Sequence, residues 1–163
     1  LKATFLSSLD NLSNLYLFGK FETSSINGLP ESLSDLTLSA SRLSEDPMQE
    51  LEKLLRLKSL SLFSDSYTGK KMSCSRGGFP ELQVLNFWKL QGLEEWKVEE
   101  HSMPKLKQLE IRSCKSLKVL TGLRNLKALG KLKLKDMPVE VTEKFEQTNE
   151  RSDIAHFPFV IID

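Results

Sequence analysis

Two pairs of adjacent glutamates, Glu94-Glu95 and Glu99-Glu100, are the first residues here whose type and spacing could do chemistry. Close carboxylates can act as a general acid and a general base when burial pushes their pKa values apart. These flank Trp96 in a charge-rich stretch with no sign of a pocket, so a solvated face is the better reading. His101 and His156 each stand alone, with no Cys or second His at metal-ligand spacing. His156, beside Phe157, reads as structural. Gly69-Lys70-Lys71 lacks both the upstream glycine and the Ser or Thr of a phosphate-cradling loop. We expect no catalytic residues and no metal ligands, and the chain is read as something other than an enzyme.

What the sequence does carry is a repeat. Leu15-Tyr16-Leu17, Leu36-Thr37-Leu38, Leu60-Ser61-Leu62, Leu85-Asn86-Phe87, Leu109-Glu110-Ile111 and Leu132-Lys133-Leu134 recur at intervals of 21 to 25 residues. Leu12, Leu33, Leu57, Leu82, Leu106 and Leu129 stand three residues upstream of each. L-x-x-L-x-L repeated in this way is the signature of a leucine-rich-repeat solenoid. A single coil cannot bury its own apolar face, so coils stack and share one core. The expected fold is α/β: a curved horseshoe with a parallel concave sheet and an irregular convex side. Residues 1–137 are assigned to the repeats, with strands near 15, 36, 60, 85, 109 and 132, and residues 138–163 to a C-terminal capping segment.

Between strands the segments vary. Asp46 suits a helix N-cap, Pro47 the first helical position, and Gln49 a capping-box partner, which predicts a short helix through Leu51, Leu54 and Leu55. Ser64 to Gly78 reads as an exposed loop. Phe79-Pro80 and Met103-Pro104 open their repeats alike, the proline fixing φ where the chain approaches a strand. Cys114, three residues past Ile111, sits where such repeats bond the backbone of the turn. Met137-Pro138 stops the pattern, Val139 to Thr148 predicts an acidic helix with Val141 and Phe145 on one face, and Phe157 to Ile162 predicts a closing strand that seals the last coil. Each apolar side chain it buries would contribute roughly 1.5–3 kcal/mol.

The 163 residues carry 23 Lys and Arg against 22 Asp and Glu, so bulk charge gives no argument for nucleic acid or an acidic membrane. Charge is uneven locally: ten cations and one acid, Glu110, lie between Lys105 and Lys135. Two cysteines, no secretory segment and no run of 18 apolar residues point to a reducing, cytoplasmic setting without membrane insertion. Asn11-Leu12-Ser13 is a single weak glycosylation sequon. The chain starts at Leu1 within a running repeat, which suggests the C-terminal part of something longer.

A solenoid of this kind presents one outward side chain per coil in each column of its sheet. The residue after each L-x-L gives Phe18, Ser39, Phe63, Trp88, Arg112 and Lys135. The residue between the two leucines gives Tyr16, Thr37, Ser61, Asn86, Glu110 and Lys133. Aromatic residues and Arg are enriched at binding hot spots, so Tyr16, Phe18, Phe63, Asn86, Trp88, Glu110, Arg112, Lys133 and Lys135 form the candidate protein-binding surface, aromatic at one end and basic at the other. Tyr67, Lys70 and Lys71 are a second candidate in the loop. The opposing reading for Phe63 and Trp88 is that they fold over the coil edge and pack against that loop.

Ser66-Tyr67-Thr68-Gly69-Lys70-Lys71-Met72, Gly77-Gly78-Phe79-Pro80-Glu81-Leu82-Gln83-Val84-Leu85 and Leu93-Glu94-Glu95-Trp96-Lys97-Val98-Glu99-Glu100 together resemble the C-terminal repeats of plant coiled-coil nucleotide-binding leucine-rich-repeat disease-resistance proteins. Met103-Pro104, Leu109-Glu110-Ile111 and Cys114 continue the likeness, as do Leu36-Thr37-Leu38-Ser39, Leu43 and Glu45-Asp46-Pro47-Met48 upstream. It covers Leu29 to Met137, with His156, Pro158 and Ile161 similar to the family's closing segment, and departs at Val119-Leu120-Thr121-Gly122-Leu123. The resemblance implies an intracellular immune receptor whose repeats sense a pathogen effector, directly or through a guarded host protein, and hold the receptor's own nucleotide-binding domain at rest. ADP or ATP would belong to that domain, none of whose motifs lies in this chain, and membrane association would come through the longer protein. The alternatives are a free-standing cytosolic scaffold, the substrate-recognition segment of a ubiquitin ligase, and an extracellular ectodomain. The last would need flanking cysteine pairs, dense sequons and a regular Ile-Pro repeat, all of which are missing.

Overall fold

Alternation along each L-x-L sends two aliphatic side chains one way and the residues around them the other. In the structure, a computed structural model that describes residues 3–147 and 159–163, each of these segments is a five-residue strand. They are β1 (Asn14–Phe18), β2 (Asp35–Ser39), β3 (Ser59–Phe63), β5 (Val84–Trp88), β7 (Gln108–Arg112) and β9 (Lys131–Lys135). With β10 (Phe159–Ile162) they form one parallel sheet in the order β1-β2-β3-β5-β7-β9-β10. Registers are unbroken: Leu15, Leu36, Leu60, Leu85, Leu109, Leu132 and Val160 form one row, and Leu17, Leu38, Leu62, Phe87, Ile111, Leu134 and Ile162 the next. From β2 to β9 both rows are fully buried, while Leu15 and Leu17 at the first strand are only partly covered.

The backbone repeats as faithfully as the leucines. Before each strand one carbonyl accepts two successive N–H groups: Ser34 takes those of Lys58 and Ser59, and Lys58 those of Gln83 and Val84. After each strand the chain turns through a left-handed residue, in order Gly19, Ala40, Ser64, Lys89, Ser113 and Asp136. Five of the six are not glycine, and a left-handed L-residue costs about 1–2 kcal/mol. The ladder offsets this, because each of these N–H groups still donates to the neighbouring coil, Lys89 for instance to the Arg112 carbonyl at 3.0 Å.

A second, smaller parallel sheet lies across the core: β4 (Lys71–Cys74), β6 (Glu95–Val98) and β8 (Val119–Thr121). It corrects the sequence reading of Ser64 to Gly78 as an exposed loop. Tyr67, Met72 and Cys74 are all buried, and Met72 registers with Trp96, which registers with Leu120. Trp96 is 0 % exposed and meets Phe87 of the large sheet edge-on, with ring centroids 5.0 Å apart, so this aromatic pair ties the two sheets together.

The predicted helix is a single turn, α1 (Met48–Leu51), starting one residue later than expected with Pro47 as its N-cap. Asp46 still serves its first turn, accepting the Met48 N–H at 2.9 Å, and its other oxygen accepts the Ser73 N–H of β4 at 2.8 Å. One carboxylate thereby joins α1 to the small sheet. After β9, α2 (Val139–Gln147) buries Val141. Phe145's side chain and His156, Phe157 and Pro158 lie outside the described residues. Strand β10 pairs with β9, yet its apolar side chains seal little: Phe159 is 67 % exposed and Val160 and Ile161 are also exposed, leaving Ile162 packed on the core. Period 2 in so short a strand turns only alternate residues inward, and Phe159 and Ile161 fall on the outer face. Among the described residues no helix is long and apolar enough to cross a membrane.

Candidate protein-binding surface

The outer face of the large sheet brings together part of the predicted surface. At its centre β3, β5 and β7 place Phe63, Asn86, Trp88, Glu110 and Arg112 around a hollow of about 210 Å³, with the inward-facing Phe87 beneath. Strand register puts Phe63, Trp88 and Arg112 side by side in three successive coils. Phe63 and Trp88 meet edge to face at 5.7 Å and 81°, and the Arg112 guanidinium carbon lies 5.5 Å from the centre of the Trp88 ring. Both rings are half-buried. The Trp88 Nε1 is buried with no acceptor among the described residues.

Lys89 belongs to this cluster and sequence reasoning passed over it. Its left-handed backbone turns its ammonium back over Trp88, 5.1 Å from the ring centre. The available signal was positional: Lys89 is the second residue after Leu85-Asn86-Phe87, where every coil turns.

Other predicted residues are drawn elsewhere. Tyr16 and Phe18 are strongly exposed, at 61 % and 76 %, but β2 separates them from the central hollow. The columns are interrupted there, because Ser39 and Ser61 are buried between larger neighbours, Ser61 accepting from the Asn86 amide at 3.1 Å. The basic end is largely neutralised: Lys133 pairs with Glu110 at 3.2 Å and Lys135 with Asp163 of β10 at 2.9 Å. That ion pair holds the Asp163 carboxyl below its usual range. Lys89 and Arg112, by contrast, have no carboxylate within ion-pair distance among the described residues; Asp136 feels Arg112 only as the weakest of several influences, after Lys115 and Ser113.

The loop candidate is corrected. Tyr67 is 3 % exposed, its hydroxyl donating to the Lys71 carbonyl, so it is a core residue. Its burial follows from β4, whose strand pairing pulls the segment onto the core. Lys70 and Lys71 lie on the small sheet's side, away from the hollow, and pair with Glu94 at 3.1 Å and Glu95 at 2.9 Å. Lys70 holds the Glu94 carboxyl below its usual pKa, the opposite of what a proton donor near neutrality requires. Cys114 is buried and its thiol points to the Arg112 carbonyl at 3.6 Å, a structural contact within the turn. An array of aromatic, amide and guanidinium groups on a rigid sheet is suited to non-covalent recognition of another protein.

No protein-family model matches the chain. Relatives in Arabidopsis thaliana are close in sequence. The probable disease resistance protein RF45 is 56 % identical over 91 residues, 56 % of this chain and 9 % of the relative. The probable disease resistance RPP8-like protein 2 is 47 % identical, and the disease resistance protein RPP8 44 % identical, each over 133 residues, 80 % of this chain and 15 % of the relative. The chain thus spans a small part of the length of the relatives it matches. Among solved structures, an internalin (inlF) from Listeria monocytogenes aligns with 97 % of this chain and 69 % of its own at 15 % identity, with a TM-score of 0.27. So loose a superposition adds nothing to the strand register described above.

Proposed function

We propose, from the premise that this chain is a leucine-rich-repeat segment homologous to plant disease-resistance proteins, that it is the ligand-sensing segment of an intracellular immune receptor. Its large-sheet face recognises a pathogen effector or a guarded host protein during the defense response. In the resting receptor the same repeats restrain the nucleotide-binding domain. Engagement of the ligand then shifts the receptor's population toward its active state, by no more than the ligand's differential affinity for the two states. The chemistry of this segment is binding, and nucleotide belongs to another domain.

The observation that carries the reading is the Phe63–Trp88–Arg112 cluster on the outer face of the sheet. Its side chains are held by one another and add nothing to the leucine core, so their value lies in contact with something else. The test is a plant-cell assay of the full receptor carrying Trp88→Ala or Arg112→Glu. Effector-dependent cell death is expected to disappear while protein abundance stays normal. Deletion of the segment is expected to give cell death with no effector, as loss of restraint requires. Wild-type responses from both surface variants would sink the recognition role, and silence after deletion would sink the restraint.

A further inference from the structure

We infer that the hollow bordered by Phe63, Asn86, Trp88, Glu110 and Arg112 receives one aromatic or branched aliphatic side chain of the protein partner, and that carboxylates flanking it in the partner's sequence are taken by Arg112 and Lys89. This deepens the proposed function and rests on it.

Size decides the first half. About 210 Å³ is less than the ~300–1,000 Å³ of pockets that take drug-sized ligands, and suits a single side chain. The rings of Phe63 and Trp88 form its apolar side, beside the polar Asn86, Glu110 and Arg112, so the occupant gains most if it is apolar and can pack edge to face.

Charge decides the second half. Among the described residues three cations lie about the hollow, Lys89, Arg112 and Lys133, against one carboxylate, Glu110, and Lys133 is spent on Glu110. Among the described residues Arg112 and Lys89 remain exposed with no carboxylate at ion-pair distance, whereas the other outward cation of the column, Lys135, is paired with Asp163. A cationic occupant is disfavoured, because two positive groups already lie over Trp88. A carboxylate beside the buried side chain would meet the planar Arg112 guanidinium, 5.5 Å from the Trp88 ring centre, whose fork of N–H donors can bind a carboxylate bidentately.

The experiment uses the ¹⁵N-labelled chain and two blocked pentapeptides, Gly-Asp-Phe-Asp-Gly and Gly-Lys-Phe-Lys-Gly. Two tryptophans give two indole signals, and the buried Trp96 serves as internal control. The acidic peptide is expected to shift the Trp88 indole signal saturably while Trp96 stays still. The lysine peptide should bind roughly tenfold more weakly or worse, the scale of one charge-assisted contact. Arg112→Gln with Lys89→Gln should erase that preference while the circular dichroism spectrum is retained. Equal response to both peptides, or no movement of Trp88, overturns the inference. If the acidic peptide fails but Trp88→Ala still abolishes the effector response in the full receptor, only the ligand class falls. If that variant also responds normally, the proposed function falls with it.

Discussion

Truncating each of the two tryptophans to alanine should separate surface from core in one experiment. Trp96 is fully buried and packs edge-on against Phe87 in the middle of the core. Its removal deletes a large side chain that both sheets enclose, at a cost of about 3–5 kcal/mol. Trp88 is half-buried and stands on the outer face. It gives up one edge-to-face partner, about 0.5–1.5 kcal/mol, and two cations over its ring at about 0.5–1 kcal/mol each. Trp88→Ala therefore costs about 2.5 kcal/mol, a loss of about 5–10 °C in Tm for a chain of this size. Against a total stability on the order of 10 kcal/mol, the Trp88 variant stays folded, while the Trp96 variant loses a third or more of its margin. Urea titration followed by far-ultraviolet circular dichroism measures both without relying on tryptophan emission. Equal losses would refute the reasoning, since Trp88 would then be core and the hollow beside it an incidental gap.

Glycine supplies a second contrast. Gly122 has φ +83° and an added Cβ would lie 2.0 Å from the Val98 carbonyl oxygen, whereas Gly77 has φ +74° and open space around it. Gly77→Ala should cost about 1–2 kcal/mol of backbone strain, and Gly122→Ala clearly more, because β6 must also move; thermal melts of the two variants check the order. Burial pushes the Cys114 thiol up to about 11 and the Cys74 thiol higher still. Iodoacetamide at mildly alkaline pH should leave both unmodified in the native chain and label both in denaturant, as read by mass spectrometry. Desolvation is the main reason the Asp46 carboxyl titrates above its ordinary value, outweighing its bonds from Met48 and Ser73. Its folded pKa is raised, so the stability linked to its protonation is fully present below 3.8 and is lost as pH rises through the folded value. Asp46→Asn should remove that part of the pH dependence, and denaturation of both proteins at several acidic pH values measures the difference.

The leucines alone determined the large parallel sheet and the stacking of coils. Alternation within L-x-L is a local property, so which residues enter the core and which face outward in β1, β2, β3, β5, β7 and β9 could be read from spacing, and the central trio Phe63, Trp88 and Arg112 with it. Only the tertiary structure decided which outward residues act together. Lys133 and Lys135 look as free in the sequence as Arg112, but their carboxylate partners come from other coils, Glu110 one repeat back and Asp163 at the chain's end. Tyr67 reads as a loop residue because the pattern around it is short and polar, and it is buried because β4 gains a strand partner in β6, 24 residues on. Lys89 joins the site through a left-handed turn that no side-chain pattern encodes. Local periodicity sets a side chain's direction, whereas its neighbours depend on stacking coils more than twenty residues apart, and that stacking exists only in the folded solenoid.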